Sequence, residues 1–193
     1  MVEKLGKRGI YMKNSNGFRI ILTAMFASMV CVSTICIQIA SPLGGYINLG
    51  DVFVLMSGFL LGPAYGAVAA GIGSGLADAL TGYIHYTPGT LIIKGLMALI
   101  AALLVAVLDR RAERLPQPLR FAISGIPCEI VMALGYLLYA WGPLGHGAAA
   151  VASVPGNLVQ GVAGIVIASI LTPLVLRPHE IRDMLSKFHK ENK

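Results

Sequence analysis

Long uncharged apolar segments dominate this chain and are separated by short breaks rich in glycine and proline. A helix that crosses a membrane needs about 20 apolar residues. Phe18 to Ala40 meets this requirement before Ser41-Pro42-Leu43-Gly44-Gly45 ends the segment. Five further helices are predicted at residues 52–61, 64–82, 88–109, 119–141 and 155–176. The pattern therefore predicts an all-α integral membrane protein with six transmembrane helices.

Composition supports this class of protein. The 193 residues are 56% hydrophobic and 12% charged, whereas soluble domains contain about 25% charged residues. No small-residue cleavage site follows the first apolar segment, so we interpret it as a retained span. We predict a cytoplasmic N-terminal segment (1–17), one membrane domain (18–177) and a basic cytoplasmic tail (178–193).

The basic residues predict the orientation. Lys and Arg cluster before the first helix, in the 109–120 loop and after Leu176, whereas loops 41–50, 83–87 and 142–152 contain neither. Cytoplasmic loops carry the excess of Lys and Arg, so both termini are expected in the cytoplasm. The same placement explains the net charge of +6 by the membrane and argues against a nucleic-acid partner.

Four ionisable side chains, Asp51, Asp78, Lys94 and Glu129, are isolated within long uncharged stretches. A charge within hydrocarbon costs about 2.5–3.5 kcal/mol on insertion scales, so it is kept only when it is paired or faces a cavity. In the predicted topology these four residues lie from the membrane midplane outward. That distribution favours a polar pocket that opens to the outside over a continuous pore.

Each polar residue has a structural alternative to ligand binding. Asp51 with Asn48 resembles an N-cap of the second helix, or holds a loop that closes the pocket. Asp78 and Lys94 could neutralise each other as a structural pair. Asn157 and Gln160 share one face of the sixth helix and either bind ligand or join helices.

Glu129 has no obvious partner in the sequence, and this favours contact with substrate. Tyr136 shares its helical face and lies below the membrane interface. By contrast, signatures of enzymes are missing from the sequence: there is no phosphate-binding loop, metalloprotease motif, nucleophile elbow or cluster of metal ligands. We therefore predict neither catalysis nor a cofactor, and concentrative transport would need ion coupling or a partner ATPase.

Several motifs resemble the substrate-binding S components of energy-coupling factor (ECF) transporters. These motifs are Asn48-Leu49-Gly50-Asp51, the glycine-rich residues 58–66, Gly73-Ser74-Gly75-Leu76-Ala77-Asp78, and residues 86–95 from Tyr86 to Gly95. Glu129 with Gly135-Tyr136, and Pro155-Gly156-Asn157 with Gln160, extend the likeness into the last two helices. The chain is most similar to the group associated with riboflavin, hydroxymethylpyrimidine and vitamin B6.

The resemblance implies a multi-pass protein of a prokaryotic plasma membrane that captures a vitamin from outside. It also implies a transmembrane coupling subunit and two ATPase subunits as partners, with Ala24 and Ser28 at the contact with the coupling subunit. Ligands of the family lie among helices four to six, beneath the first and third outer loops.

We therefore predict a pocket for a small aromatic vitamin such as vitamin B6 or hydroxymethylpyrimidine. Glu129 would accept hydrogen bonds from a ring hydroxyl or amine, Tyr136 would stack on the ring or donate a hydrogen bond to it, and Lys94 would meet an anionic or carbonyl group. Asn157 and Gln160 would read polar groups of the ring. The residues assigned to gating or support are Asn48, Asp51, Asp78 and Tyr86. The alternatives are a riboflavin-specific S component and a membrane scaffold without a solute site.

Overall fold

The structure is a computed structural model that describes residues 16–40 and 46–190. Residues 1–15, the predicted break at 41–45 and residues 191–193 lie outside the described part. The elements in chain order are α1 (Asn16–Cys36), β1 (Gln38–Ala40), β2 (Tyr46–Asn48), α2 (Gly50–Leu80), α3 (Thr87–Arg111), α4 (Gln117–Trp141), a 3₁₀ helix (Gly147–Ser153), α5 (Val154–Val175) and α6 (His179–Lys190).

The long element α2 folds back on itself at Gly62. This glycine has φ 78° and ψ −175°, a left-handed conformation that side chains disfavour. The Ser57 hydroxyl donates to the Gly66 carbonyl at 3.1 Å, although nine helical residues would span about 13.5 Å. α2 is therefore two antiparallel arms, residues 50–61 and 63–80, and the predicted break at Gly62-Pro63 is confirmed.

The two arms of α2 pack with almost no space between their backbones. A Cβ atom added to Gly66 would lie 2.7 Å from the Ser57 carbonyl oxygen and 2.9 Å from the Gly58 Cα. Glycine at this position permits the close approach that small residues give membrane helices.

The first helix is shorter than predicted, because α1 ends at Cys36 and the chain then forms a strand. β1 pairs antiparallel with β2, with Gln38 opposite Asn48 and Ile39 opposite Ile47. The prediction of helix up to Ala40 was wrong because hydrophobicity alone does not separate the end of a helix from a short apolar strand. The all-α prediction describes the bundle but omits this β-hairpin.

The exposed surface of the bundle is strongly apolar, as expected for a protein that faces lipid. Among the described residues, five helical stretches are long and apolar enough to cross a membrane: 17–36, 50–80, 87–111, 117–141 and 147–175. Large apolar side chains such as Ile92 and Val159 are more than 60% exposed, while Leu55, Leu61 and Met97 fill the core. The chain is therefore a multi-pass membrane protein.

The tail contains an amphipathic helix that sequence analysis did not predict. α6 buries Leu185 and Phe188 against the bundle. Arg19 Nη2 donates to the Phe188 carbonyl at 3.1 Å, and the Tyr65 and Phe188 rings are 5.2 Å apart. α6 thus covers the end of the bundle opposite the β-hairpin.

Candidate ligand-binding pocket

A cavity opens at the end of the bundle that carries the β-hairpin. The cavity itself encloses about 60 Å³, and the space grows to about 720 Å³ when the open solvent at its mouth is included. The enclosed part is smaller than the roughly 300–1,000 Å³ typical of small-molecule sites, so a ring-sized ligand would also occupy the open mouth. The residues that line it come from α1, β2, α2, α3, α4, α5 and the connecting loops: Thr34, Tyr46, Ile47, Asn48, Ser74, Asp78, Tyr83, Tyr86, Thr90, Lys94, Tyr136, Ala140, Ser153, Asn157 and Gln160.

A buried ion pair forms part of the pocket's base. Lys94 of α3 contacts the Oδ1 atom of Asp51, and the two side chains are 3% and 1% exposed. Gln160 of α5 donates to Asp51 Oδ2 at 2.6 Å and accepts from the backbone N–H of Asn48 at 2.8 Å. Asp51 therefore joins α2 to α3 and, through Gln160, to α5 and β2.

This geometry corrects two structural hypotheses. Asp78 does not pair with Lys94, because Lys94 is engaged by Asp51. Asp51 also makes no capping hydrogen bond; the Asn48 side-chain oxygen instead accepts from the backbone N–H of Gly50 at 2.8 Å. β2 and the buried Asn48 precede α2 in the chain. The start of α2 therefore lies deep enough in the bundle for Asp51 to contact Lys94.

Asp78 instead holds the β-hairpin. The Tyr46 hydroxyl of β2 donates to Asp78 Oδ1 at 2.5 Å. Burial, and then this hydrogen bond to Asp78, raise the pKa of the Tyr46 phenol, so it remains a protonated donor at neutral pH. The contact fixes the hairpin over the end of the second arm of α2.

Aromatic rings form much of the remaining wall. The Tyr136 hydroxyl donates to Thr90 Oγ1 at 3.0 Å, and Lys94 Nζ lies 5.4 Å from the centre of the Tyr136 ring. Tyr83 packs against Tyr46 with ring centres 4.8 Å apart and against Tyr86 at 6.4 Å. These rings offer flat apolar surfaces against which a planar ligand can pack.

Glu129 lies outside the lining of the pocket. It is 6% exposed, and neither carboxylate oxygen has a hydrogen-bond partner among the described residues. A Cβ atom added to Gly161 would lie 2.9 Å from Glu129 Cβ, and one added to Gly164 would lie 3.3 Å from Oε1 and 3.0 Å from Asp51 Cβ. Glu129 therefore packs against the glycines of α5, next to Asp51.

The structure brings together four of the five residues predicted to bind substrate, namely Lys94, Tyr136, Asn157 and Gln160. Asn48, Asp78 and Tyr86, predicted as supports, also line the pocket. Sequence reasoning missed Thr34, Ser74 and Tyr46 because single hydroxyl side chains in apolar segments carry little signal. Within the described ranges, no group of three or more His, Cys, Asp or Glu is placed to hold a metal ion.

Comparison with known proteins identifies the family. Residues 15–177 match the family described as "ECF-type riboflavin transporter, S component". The chain belongs to this S-component family. The resemblance found in the sequence motifs is confirmed, and the family is one of transporter components rather than enzymes.

Two relatives extend the comparison of this S component. A protein of Pyrococcus woesei, described only as uncharacterized, is 36% identical over 139 residues, which cover 72% of this chain and 88% of the relative. The thiamine precursor transporter HmpT of Lactococcus lactis subsp. cremoris (strain MG1363) is 29% identical over 173 residues, covering 86% of this chain and 92% of the relative.

The buried ion pair gives a testable prediction about stability. In Lys94→Met the Asp51 carboxylate loses its countercharge, so we expect the free energy of unfolding to fall by about 3–5 kcal/mol. Adding Asp51→Asn removes the uncompensated charge, and the double variant should lose clearly less than the sum of the single losses. Unfolding in detergent measures all four proteins; additive losses would contradict the pairing.

Proposed function

We propose that this S component is the substrate-binding subunit of an ATP-driven vitamin uptake transporter. Its ligand would be a small aromatic vitamin such as vitamin B6 or hydroxymethylpyrimidine. The observation that carries the proposal is a polar pocket with aromatic walls, placed at one end of an apolar membrane bundle. Such a pocket combines flat surfaces for a ring with several hydrogen-bonding groups that can fix its orientation.

We further propose that the pocket faces the outside and that both termini are cytoplasmic. With the two arms of α2 counted separately, the chain would cross the membrane six times. The described loops at the pocket end contain no Lys or Arg, whereas Arg110, Arg111, Arg114, Arg120 and Arg177 lie towards the opposite end. The positive-inside bias then supports a cytoplasmic arginine-rich end.

In this proposal the ring of the ligand packs on Tyr136, and Asn157 forms hydrogen bonds with its polar substituents. Gln160 is held by Asp51 and Asn48, so it gives the base of the pocket a fixed shape. Because Asp51 compensates the Lys94 charge, Lys94 acts mainly as a support and less as an anion receptor. The ligand contact predicted for Glu129 stays a prediction, which its position against the α5 glycines does not favour.

The comparisons support two ligand classes. The Lactococcus relative carries a name for a thiamine precursor, and this favours a pyrimidine ring. The family description names riboflavin, and this favours the larger ring system as the second candidate. The volume of the cavity does not separate the two, so binding has to decide between them.

A binding panel tests the proposed function. Purified protein in detergent would be titrated calorimetrically with hydroxymethylpyrimidine, pyridoxine, riboflavin and thiamine, and we expect saturable binding of at least one. Asn157→Ala should weaken that binding up to about tenfold, the effect of one lost hydrogen bond. Ser169→Ala, on the same helix but outside the pocket, is the matched control and should bind as the wild type does. If no compound binds, the scaffold alternative is favoured.

We propose that the coupling subunit, which would act with two ATPase subunits, contacts a groove between α1 and the second arm of α2. Ala24 and Ser28 are exposed and line this groove opposite Val68 and Ile72. The Ser28 hydroxyl donates to the Ala24 carbonyl at 2.9 Å, which satisfies its donor. Small residues four apart allow a partner helix to approach closely.

A bulky substitution in this groove should separate binding from transport. Ala24→Trp would hold the partner helix away, so we expect ligand uptake to fall at least about tenfold in cells that also express the coupling and ATPase subunits. The dissociation constant of the purified variant should stay unchanged. Met25→Trp places the same bulk at the adjacent exposed position outside the groove and is the control. Wild-type uptake by Ala24→Trp would contradict this contact.

A further inference from the structure

One wall of the pocket carries buried oxygen atoms without partners. Asp78 is 4% exposed; its Oδ1 atom accepts from Tyr46, the Thr90 hydroxyl also interacts with the carboxylate, and Oδ2 has no partner within 3.5 Å among the described residues. Ser74 and Thr34 are 2% and 4% exposed, and their hydroxyl oxygens are likewise unpartnered within the described part of the chain. All three residues line the pocket. Buried polar groups are nearly always hydrogen-bonded, so these atoms can bond to a ligand or to water that enters the pocket.

The three side chains line the same pocket from two helices. Ser74 and Asp78 are four residues apart on α2 and therefore lie on one face of its second arm. Thr34 comes from α1, which packs beside that arm at Gly73, and its hydroxyl lies next to Gly50 at the start of the first arm. Tyr136 and Asn157 line the pocket from α4 and α5. A ring that packs on Tyr136 would therefore share the pocket with Asp78.

Charge defines the chemistry of this part of the pocket. Lys94 is the one Lys or Arg among the described residues that line the pocket, and Asp51 already compensates its charge. Asp78 therefore makes no ion pair with another described lining residue. An ionised carboxylate only accepts hydrogen bonds, so its free oxygen needs an N–H or O–H donor and repels an anion.

We propose that Asp78, with Ser74 one turn away on the same helix face, recognises an amino group on the ring of the ligand. The ligand class is then an unphosphorylated, amine-bearing heteroaromatic ring of the aminopyrimidine type. This inference rests on the proposed function and assigns the ligand a specific chemical group. It also gives Asp78, which the sequence indicated as a support, a role in specificity.

The test is a ratio of affinities. The probes are 4-amino-5-hydroxymethyl-2-methylpyrimidine and its analogue without the amino group, titrated into the full-length protein in detergent. The wild type should bind the amino compound about 10- to 100-fold more tightly, as expected for a hydrogen bond to a charged group. In Asp78→Asn the amide oxygen accepts from Tyr46, so the amide nitrogen faces the ligand amine. Two hydrogen-bond donors then meet, and the ratio of the two affinities should fall to about one.

A purely structural role of Asp78 would lower thermal stability without changing this ratio, and that result would overturn the inference. Asp109→Asn makes the same substitution at the opposite end of the bundle and should keep the wild-type ratio. If Asp78→Asn does not fold, the wild type still decides, because the phosphate ester of the amino compound should bind at least about 100-fold more weakly than the free compound. Equal binding of the ester would overturn the inference.

The outcomes also separate this inference from the proposed function. A wild type that binds riboflavin or pyridoxine but not the aminopyrimidine would overturn the inference and leave vitamin capture intact. A wild type that binds none of the compounds would overturn both.

Discussion

The buried ion pair between Asp51 and Lys94 is the contact on which the rest of the pocket depends. Two charges within an apolar bundle are tolerated only when they are paired and their remaining hydrogen-bonding atoms are satisfied. Gln160 satisfies Asp51 Oδ2 and, with its other amide atom, holds the backbone of Asn48. A single polar cluster thus fixes α2, α3, α5 and the β-hairpin relative to one another. The positions of the pocket walls follow from it.

The pocket combines a frame held by hydrogen bonds with polar atoms that have no hydrogen-bond partner among the described residues. Tyr46 ties the hairpin to Asp78 through one carboxylate oxygen, while the other oxygen remains available. The Tyr136 ring lines the same pocket. In a member of an S-component family, this division suits the proposed capture of a flat polar solute: the apolar rings would provide contact area, and the buried acceptors would select which ring enters.

Much of the fold could be predicted from the sequence, because apolar segments and breaks report directly on membrane helices. The reversal of the chain within α2 could be predicted from the Gly62-Pro63 pair. The pairing of Lys94 with Asp51 could not be predicted, because the spacing of residues along the chain does not show how deep each one lies in the bundle. A short strand precedes α2 and changes the depth at which Asp51 lies. Glu129 was predicted to meet the ligand because it lacked a partner in the sequence. The structure places it against the α5 glycines, where residues distant in sequence decide its surroundings.

The central claim is that the pocket captures a small heteroaromatic solute. Native mass spectrometry of the protein purified from cells in mild detergent tests it most directly. The account predicts a fraction of molecules that carry one such compound, and loss of that fraction in Ala140→Trp, where a large side chain fills the pocket. Bound lipid alone, or a compound retained equally by Ala140→Trp, would contradict the account.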